Sequence, residues 1–307
     1  MLWYKATALA VVAWLATAVS LAEPVRTDPW GADYFPDVTL TTHTGEEVKF
    51  FTDLLKDKVV AINFMFTSCQ AVCPTETARL RQVQRLLGDR VGKDVHMYSI
   101  SIDPARDTPA ALAAYARKFD VGPGWTFLRG SKEDIELLEY KLGLVVDDSD
   151  DPLDHSTSFV VGNQASGRWI KRSPYEHPSI LARLLGDELH NFTKPSTLPL
   201  KNYSEAEAVA EQSSGEYIFR TRCNACHSIG GNGESLGPDL LGITTVRDRH
   251  WLQEWIKAPD MMLATGDPLA IAFYKRNNGL SMPNLGLTDQ DAQAVIEYIE
   301  EHEAAAE

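Results

Sequence analysis

Cysteine is scarce in this sequence, with four residues among 307. They form two close pairs, Cys69 with Cys73 and Cys223 with Cys226. A structural disulfide framework joins distant segments, because closing a long loop stabilises a fold most. The tight spacing therefore excludes such a framework and indicates metal, redox or haem chemistry.

Basic residues are also few, since 29 lysines and arginines stand against 43 acidic residues and give a formal net charge of −14. Nucleic acids and anionic membrane surfaces repel a strongly acidic protein. We therefore expect no nucleic-acid partner, whereas a neutral or basic protein partner stays open. The length of 307 residues exceeds the usual size of one hydrophobic core and predicts two domains.

Residues 1–22 have the pattern of an export signal. Lys5 precedes an almost wholly apolar run over residues 6–19, and small residues surround Ala22. We expect cleavage after Ala22. The alternative is an uncleaved membrane anchor, because residues 6–22 have the shortest length that can span a bilayer. Either outcome predicts an exported, periplasmic protein that meets a membrane only through this segment.

Residues 29–190 alternate between β-branched apolar runs and amphipathic stretches. Periodicity predicts strands over 58–66 and 95–102, and a hairpin formed by 158–161 and 169–171. The predicted helices are 74–87, 108–119 (capped by Asp107), 133–142 and 178–189. Strands interleaved with helices predict an α/β domain.

A second domain is predicted after a linker over residues 191–214. This segment contains Lys-Pro-Ser-Thr-Leu-Pro at 194–199, a composition typical of a connection. Residues 215–307 have helical periodicity throughout. The sequence therefore predicts an α/β domain followed by an all-α domain.

The second cysteine pair lies in Cys-Asn-Ala-Cys-His at 223–227. In this motif two thiols one turn apart reach the two vinyl groups of a haem, and the adjacent imidazole binds the iron. We expect one covalent haem c, attached to Cys223 and Cys226 and ligated by His227.

The first pair follows the predicted strand over 58–66 and lies at the start of a helix. Residues four apart share one helix face, so the sulfurs of Cys69 and Cys73 can bind one small ion or form a strained disulfide. A helix N-terminus also lowers the pKa of a thiol and so favours the thiolate.

Four motifs surround this pair: Phe-Thr-Ser-Cys at 66–69, Val-Cys-Pro at 72–74, Ser-Ile-Asp-Pro-Ala-Arg-Asp-Thr-Pro at 101–109 and Asp-His-Ser at 154–156. Their order resembles that of the Sco/SenC family over residues 29–189. The resemblance implies a thioredoxin-like fold and one copper ion, Cu(I) or Cu(II), bound by Cys69, Cys73 and His155.

Not every residue of these motifs follows the family pattern. Ser68, Gln70 and Ala71 depart from it, which predicts an altered copper affinity. Asp103, Arg106 and Asp107 are interpreted as a salt-bridged structural turn.

The last 95 or so residues resemble class I cytochrome c. The resemblance implies that Gly215 lets the first helix pack closely on the last, with Phe219 and Tyr298 near the contact. It implies that the Pro238 carbonyl accepts a hydrogen bond from His227 Nδ1 and so fixes the imidazole tautomer.

The same resemblance favours Met282 as the sixth ligand of the haem iron. Met282 precedes a proline and the final predicted helix, which is the position expected for that ligand. The alternatives are Met261 and Met262, which could instead be methionines that only pack in a helix or loop.

Three functions compete for the first domain. A metallochaperone would pass copper to subunit II of cytochrome c oxidase or to another copper or thiol protein. A thiol-disulfide oxidoreductase would use Cys69 and Cys73 as redox thiols on target cysteines. A peroxidase is suggested by Val-Cys-Pro-Thr-Glu at 72–76, but Gln70 and Phe66 replace residues that a peroxiredoxin requires.

The covalent haem bears on this choice, because a haem and copper each exchange single electrons whereas a disulfide exchanges two. This favours a copper-binding electron-transfer protein with further redox partner proteins over a turnover enzyme. A redox sensor or an assembly scaffold without turnover stays an alternative.

Overall fold

The computed structural model of the protein describes residues 30–70, 72–145, 157–190, 212–231 and 236–306. The predicted signal or anchor, most of the predicted linker and His155 lie outside the described residues. Within these described ranges no helix is both long and apolar enough to cross a membrane.

The first domain is built on a seven-stranded sheet in the order β2-β1-β5-β4-β3-β6-β7. β3, β4 and β5 run parallel, and the pairs at both ends of the sheet are antiparallel. The strands are β1 (Thr39–Thr42), β2 (Glu47–Lys49), β3 (Val59–Met65), β4 (Val95–Ser101), β5 (Trp125–Arg129), β6 (Phe159–Asn163) and β7 (Arg168–Arg172). β3, β4 and the hairpin of β6 and β7 confirm the predictions, whereas β1, β2 and β5 were not predicted.

β3 lies in the centre of the sheet and is buried along its whole length. Because successive side chains of a strand point to opposite faces, Val59 and Ala61 join one hydrophobic cluster while Val60 and Ile62 join the other. Two cores therefore cover the two faces of the sheet, and the carboxyl end of β3 opens into the loop that carries Cys69.

Helices cover both faces of the sheet. They are α1 (Val72–Leu87), α2 (Pro109–Lys118), α3 (Lys132–Leu142) and α4 (Pro178–Arg183), the last continued by a π-helical turn over Leu184–Glu188. All four confirm predicted helices. The predicted cap of α2 was wrong, because the side chain of Thr108, not Asp107, accepts the hydrogen bond from the Ala111 amide at 3.2 Å.

Within its described residues, the second domain consists of helices and connecting loops and contains no strand. It comprises α5 (Ser214–Ile218), continued by a π-helical turn over Phe219–Cys223, α6 (Ile243–Val246), α7 (Arg249–Lys257), α8 (Pro259–Ala264), α9 (Pro268–Arg276) and α10 (Asp289–Ala306). The predicted fold class, a thioredoxin-like α/β domain followed by an all-α domain, is confirmed.

The first and last helices of the second domain cross at a glycine. A Cβ added to Gly215 would lie 2.0 Å from the carbonyl oxygen of Ala294 and 3.0 Å from the Tyr298 Cβ. The rings of Phe219 and Tyr298 pack beside this crossing with centroids 5.4 Å apart. This confirms the predicted helix contact, which only a residue without a side chain permits.

Candidate functional site

The first pair of cysteines lies where β3 gives way to α1. Cys73 is fully buried in the first turn of α1, and Cys69 is partly exposed in the loop before it. The two thiols are not joined in a disulfide and are hydrogen-bonded to each other. The expected proximity is present, but the reason given for it was wrong: Cys69 precedes the helix, so a loop and not a shared helix face brings the sulfurs together.

The electrostatic environment of Cys73 also differs from expectation. The hydrogen bond with Cys69 and the burial of the thiol raise the pKa of Cys73 well above its ordinary value. Position in the first turn of a helix was predicted to lower it, but that effect is weaker than desolvation here. A raised pKa favours the thiol over the thiolate, so a metal that binds Cys73 must displace its proton.

Asp107 holds the loop that carries Cys69. Its buried carboxylate accepts hydrogen bonds from the amide of Thr67 at 3.0 Å, from the Thr67 hydroxyl and from the Ser101 hydroxyl at 2.5 Å. The neighbouring Asp103 pairs with Arg106 at 2.5 Å. Of these contacts, only the pair of Asp103 and Arg106 belongs to the salt-bridged turn that the sequence predicts. Asp107 instead holds the loop that carries Cys69 against the end of β4.

Glu76 is a second residue that sequence reasoning missed. It lies one turn after Cys73, is almost fully buried and has one carboxyl oxygen without a hydrogen-bond partner. Burial raises its pKa well above the ordinary value, against the lowering effect of a hydrogen bond with Asn63. A neutral carboxylic acid therefore lies beside the thiols, and no local sequence signal distinguishes it from a surface glutamate of α1.

The haem-attachment motif ends on a histidine that is held rigidly. His227 Nδ1 lies 2.9 Å from the carbonyl oxygen of Pro238, the contact that the resemblance implied. Burial lowers the pKa of His227, while the Pro238 carbonyl and Asp239 oppose that effect. A Cβ on Gly237 would lie 2.5 Å from His227 Cε1, so glycine is required there. The bond to Pro238 leaves Nε2 available as a ligand.

Next to His227 lies a cavity of about 270 Å³, bordered by both attachment cysteines, His227 and Met282. Trp251 and Trp255, stacked with centroids 5.6 Å apart, are among its apolar walls. An imidazole nitrogen, a thioether and two thiols around one apolar cavity fit the donor set of a haem c.

The alternative methionines do not border this cavity. Met261 is 58% exposed on α8, and neither it nor Met262 lines the wall that Met282 shares with His227. The arrangement therefore favours Met282 among the three.

Asp239 closes the loop after the attachment motif. It accepts hydrogen bonds from the Ser228 hydroxyl at 2.5 Å and from the amides of Gly230, Gly231 and Leu241 at 3.1, 2.8 and 2.9 Å. Desolvation would raise the pKa of Asp239, but these hydrogen bonds outweigh it and lower the pKa to about 2. The sequence signal for this role is the Gly-Pro-Asp-Leu segment at 237–240, in which the resemblance to class I cytochrome c implied a role for Pro238 alone.

The two candidate sites adjoin each other. Pro74 and Thr75, the two residues that follow Cys73, and Phe119 after α2 border the same cavity as His227 and Met282. Leu236 and Leu280 of the second domain pack against the hydrophobic core of the first. The first domain thus forms part of the wall of the predicted haem pocket.

The third predicted copper ligand, His155, lies outside the described residues. Within the described ranges no group of three or more histidine, cysteine, aspartate or glutamate side chains assembles into a metal site. Among the predicted site residues, the structure brings two groups together. Cys69 lies beside Cys73, and His227 lies near Met282 and Pro238.

Solved structures and relatives resemble the two halves of the chain separately. A Sco2-like protein of Rickettsia conorii is 35% identical over 142 residues, which is 44% of this chain and 66%, or just under two thirds, of that relative. Bradyrhizobium japonicum ScoI with copper bound is 29% identical and covers 48% of this chain and 94% of its own, with a TM-score of 0.41. The cytochrome c domain of the Pseudomonas putida protein pp3183 is 49% identical and covers 29% of this chain and 88% of its own, with a TM-score of 0.28.

Family models match both domains. The SCO1/SenC model matches residues 28–184, more than half of the chain. The cytochrome c model matches residues 212–303, and such a domain implies a haem c. The protein belongs to the SCO1/SenC family and carries a cytochrome c domain at its C-terminal end.

Proposed function

We propose that this protein is a copper-binding redox protein: a metallochaperone that assists assembly of the copper site of cytochrome c oxidase, with a covalent haem for one-electron transfer. The observation that carries the proposal is the shared wall between its two sites. Pro74 and Thr75 follow the copper-binding thiol of Cys73 directly and border the cavity that holds His227 and Met282.

The copper site consists of Cys69, Cys73 and His155 and takes one ion. Soft thiolates suit Cu(I), and the imidazole of His155 lets the same site hold Cu(II). The hydrogen bond between the two thiols supports the site, because it places both sulfurs within reach of one ion. Copper passes to cysteines of the target, subunit II of the oxidase or another copper or thiol protein, by exchange of thiolate ligands.

The haem site consists of Cys223 and Cys226 for covalent attachment and of His227 and Met282 as axial ligands. The haem supplies one-electron transfer, and a histidine and methionine pair raises its potential. Pro238 fixes the tautomer of His227 through the contact at Nδ1. The wall formed by Pro74, Thr75 and Phe119 keeps water from the side of the cavity that faces the copper domain.

A second candidate function is thiol-disulfide exchange at the same cysteines. The contact between the protonated thiols of Cys69 and Cys73 also suits closure to a disulfide. In that reaction a target disulfide gains two electrons and two protons and becomes a dithiol, while Cys69 and Cys73 lose them through a mixed disulfide. The adjoining haem favours copper chemistry, since it exchanges one electron at a time.

We place residues 1–22 as an export signal or membrane anchor, 29–190 as the copper domain, 191–214 as a linker and 215–307 as the cytochrome domain. Copper thiolate chemistry and a covalent haem fit the periplasm, to which such a signal directs the chain.

Copper titration with absorption and electron paramagnetic resonance spectroscopy tests the proposal. We expect one equivalent of Cu(I) or Cu(II) per chain, and no tight binding in Cys69→Ala/Cys73→Ala. His155→Ala should weaken Cu(II) far more than Cu(I), because two thiolates still hold Cu(I). Equal losses for both ions would contradict the role of His155, and reduction of a disulfide substrate by the wild-type protein without copper would favour the second candidate.

Rapid mixing of reduced protein with Cu(II) tests whether the two sites exchange electrons within one molecule. Oxidation of the haem should proceed at a rate independent of protein concentration and should be absent in Cys69→Ala/Cys73→Ala. A rate proportional to protein concentration would show that electrons pass between molecules.

A further inference from the structure

A polar network on α1 joins the first domain to the second. Arg79 Nη2 donates a hydrogen bond to the carbonyl oxygen of Arg220. Gln82, one turn later, donates from Nε2 to the carbonyl oxygens of Asn224 at 2.7 Å and Ala225 at 3.4 Å. Arg79 Nη1 also donates to Gln82 Oε1 at 3.5 Å. Every acceptor outside α1 therefore belongs to the segment that carries the haem-attachment cysteines.

Arg79 is an unusual residue at this contact because it is buried without a countercharge. It is 2% exposed, its Nε has no hydrogen-bond partner, and among the described residues no carboxylate pairs with it. Burying an ion without a partner is costly. Arg81, two residues away and also buried, forms an ion pair with Asp120. Arg79 differs from this neighbouring buried arginine in having no carboxylate partner among the described residues.

The partner of Arg79 is instead the negative end of a helix. The helical segment 214–223 ends at the attachment motif, and its last carbonyls carry the partial negative charge of the helix dipole. The positive charge of Arg79 also acts on the two cysteines that follow. Burial raises the pKa of Cys223 and of Cys226 to about 12, and Arg79 lowers both against that effect. The guanidinium thus lies within electrostatic range of both points of haem attachment.

We propose that Arg79 is a positioning and tuning residue through which the copper domain raises the reduction potential of the haem in the other domain. An oxidised haem iron carries one more positive charge than a reduced one. A desolvated cation beside the attachment cysteines disfavours the oxidised form, because Coulomb repulsion is strong where water is excluded.

This role also makes domain docking depend on the redox state. If docking of Arg79 favours the reduced haem by a given factor, reduction must favour docking by the same factor, since coupling between two equilibria is reciprocal. The reduced protein therefore holds its domains together more firmly than the oxidised protein. The inference rests on the covalent haem of the proposed function and is independent of copper binding.

The test is a spectroelectrochemical titration of full-length protein with covalent haem and without copper. Arg79→Gln should lower the potential by the equivalent of about a tenfold change in the ratio of oxidised to reduced haem, within the range usual for coupled sites; tenfold corresponds to ~59 mV for one electron. Arg79→Lys should restore most of the potential. Arg85→Gln is the matched control, because it removes the same charge from the same helix at an exposed arginine near Asp120.

Gln82→Glu keeps the guanidinium of Arg79 and places a carboxylate beside it. This variant therefore provides a second test if Arg79→Gln does not fold. It should lower the potential in the same direction. An unchanged potential in Arg79→Gln or in Gln82→Glu, or an equal fall in Arg85→Gln, would overturn the proposal. Haem content is measured first: a chain without covalent haem contradicts the proposed function, whereas a normal haem with an insensitive potential contradicts only the role of Arg79.

Discussion

Replacing Asp107 by asparagine tests how the loop that carries Cys69 is held. The carboxylate accepts three hydrogen bonds, two of them from Thr67, which lies two residues before Cys69. Asparagine keeps the shape of the side chain but presents one carbonyl oxygen and an NH2 group that donates. We therefore expect Asp107→Asn to retain about one of these hydrogen bonds and to release the loop.

The magnitude follows from the bonds that are lost. A hydrogen bond to a charged acceptor contributes about 1.5–3 kcal/mol, and the unpaired buried donor adds to the loss. With water satisfying part of this, we expect the free energy of unfolding of the first domain to fall by about 2–4 kcal/mol. If about half of that free energy measures the cost of ordering the loop, copper affinity falls by about 5-fold to 30-fold, since 1.4 kcal/mol is tenfold.

Two measurements on full-length protein separate stability from copper binding. Denaturant unfolding gives the free energy, and competition with a Cu(I) chelator gives the affinity of the folded protein. Asp103→Asn is the control, because Asp103 lies in the same turn but pairs with Arg106; its copper affinity should change less than about threefold. Thr67→Val, which removes only the hydroxyl bond, should cost about 1 kcal/mol. A destabilised Asp107→Asn with unchanged copper affinity would refute the positioning of Cys69 by this carboxylate.

Three further predictions concern the cytochrome domain. Met282→Ala should abolish the weak sulfur-to-iron charge-transfer band at the red end of the oxidised spectrum, whereas Met261→Ala should keep it; a band retained in Met282→Ala would move the sixth ligand elsewhere. Gly215→Ala gains about 1 kcal/mol of helix propensity, but the clash at 2.0 Å with the Ala294 carbonyl should produce a net loss of about 1–3 kcal/mol. Denaturation followed by haem absorbance measures that loss, and an unchanged midpoint in Gly215→Ala would contradict the close crossing of the two helices. Asp239→Asn tests acid stability: because the folded pKa of Asp239 is lowered from 3.8 to about 2, its contribution is present above about pH 4 and is lost as the pH falls through about 2. The difference in denaturant midpoint between wild type and Asp239→Asn should therefore shrink between pH 4 and pH 2, and a constant difference would contradict the role of this carboxylate.

Much of each domain could be predicted because its signals are local. The run over 58–66 predicted β3, since a central parallel strand is apolar on both faces and all seven of its residues are buried. The helix crossing at Gly215 was predicted from the resemblance of the last 95 or so residues to class I cytochrome c. Strands β1 and β2 were missed, because they are only four and three residues long and so short a segment carries a weak alternating pattern.

Details of the thiol site could not be predicted, because they depend on contacts between distant segments. The partners of Asp107 come from the loop after β3 and from the end of β4, so nothing within its own turn identifies them. The raised pKa of Cys73 depends on how deeply the start of α1 is buried, whereas sequence position shows only that a helix begins there. Local reasoning therefore predicted that Cys69 and Cys73 lie close together and misjudged the pKa of Cys73.

The contact between the domains shows the limit of periodicity most clearly. On α1 the apolar residues Leu80 and Val83 face the core of the first domain, and an amphipathic pattern assigns the remaining faces to solvent. Arg79 is nevertheless 2% exposed, because the second domain covers it. That domain brings the carbonyl groups of Arg220 and Asn224 to Arg79 and Gln82, which compensates two polar side chains for the loss of water. A polar helix face in a two-domain chain can therefore be an interface, when the carboxyl end of a helix in the other domain packs against it. In this protein the helix that packs against α1 carries the cysteines of the haem-attachment motif.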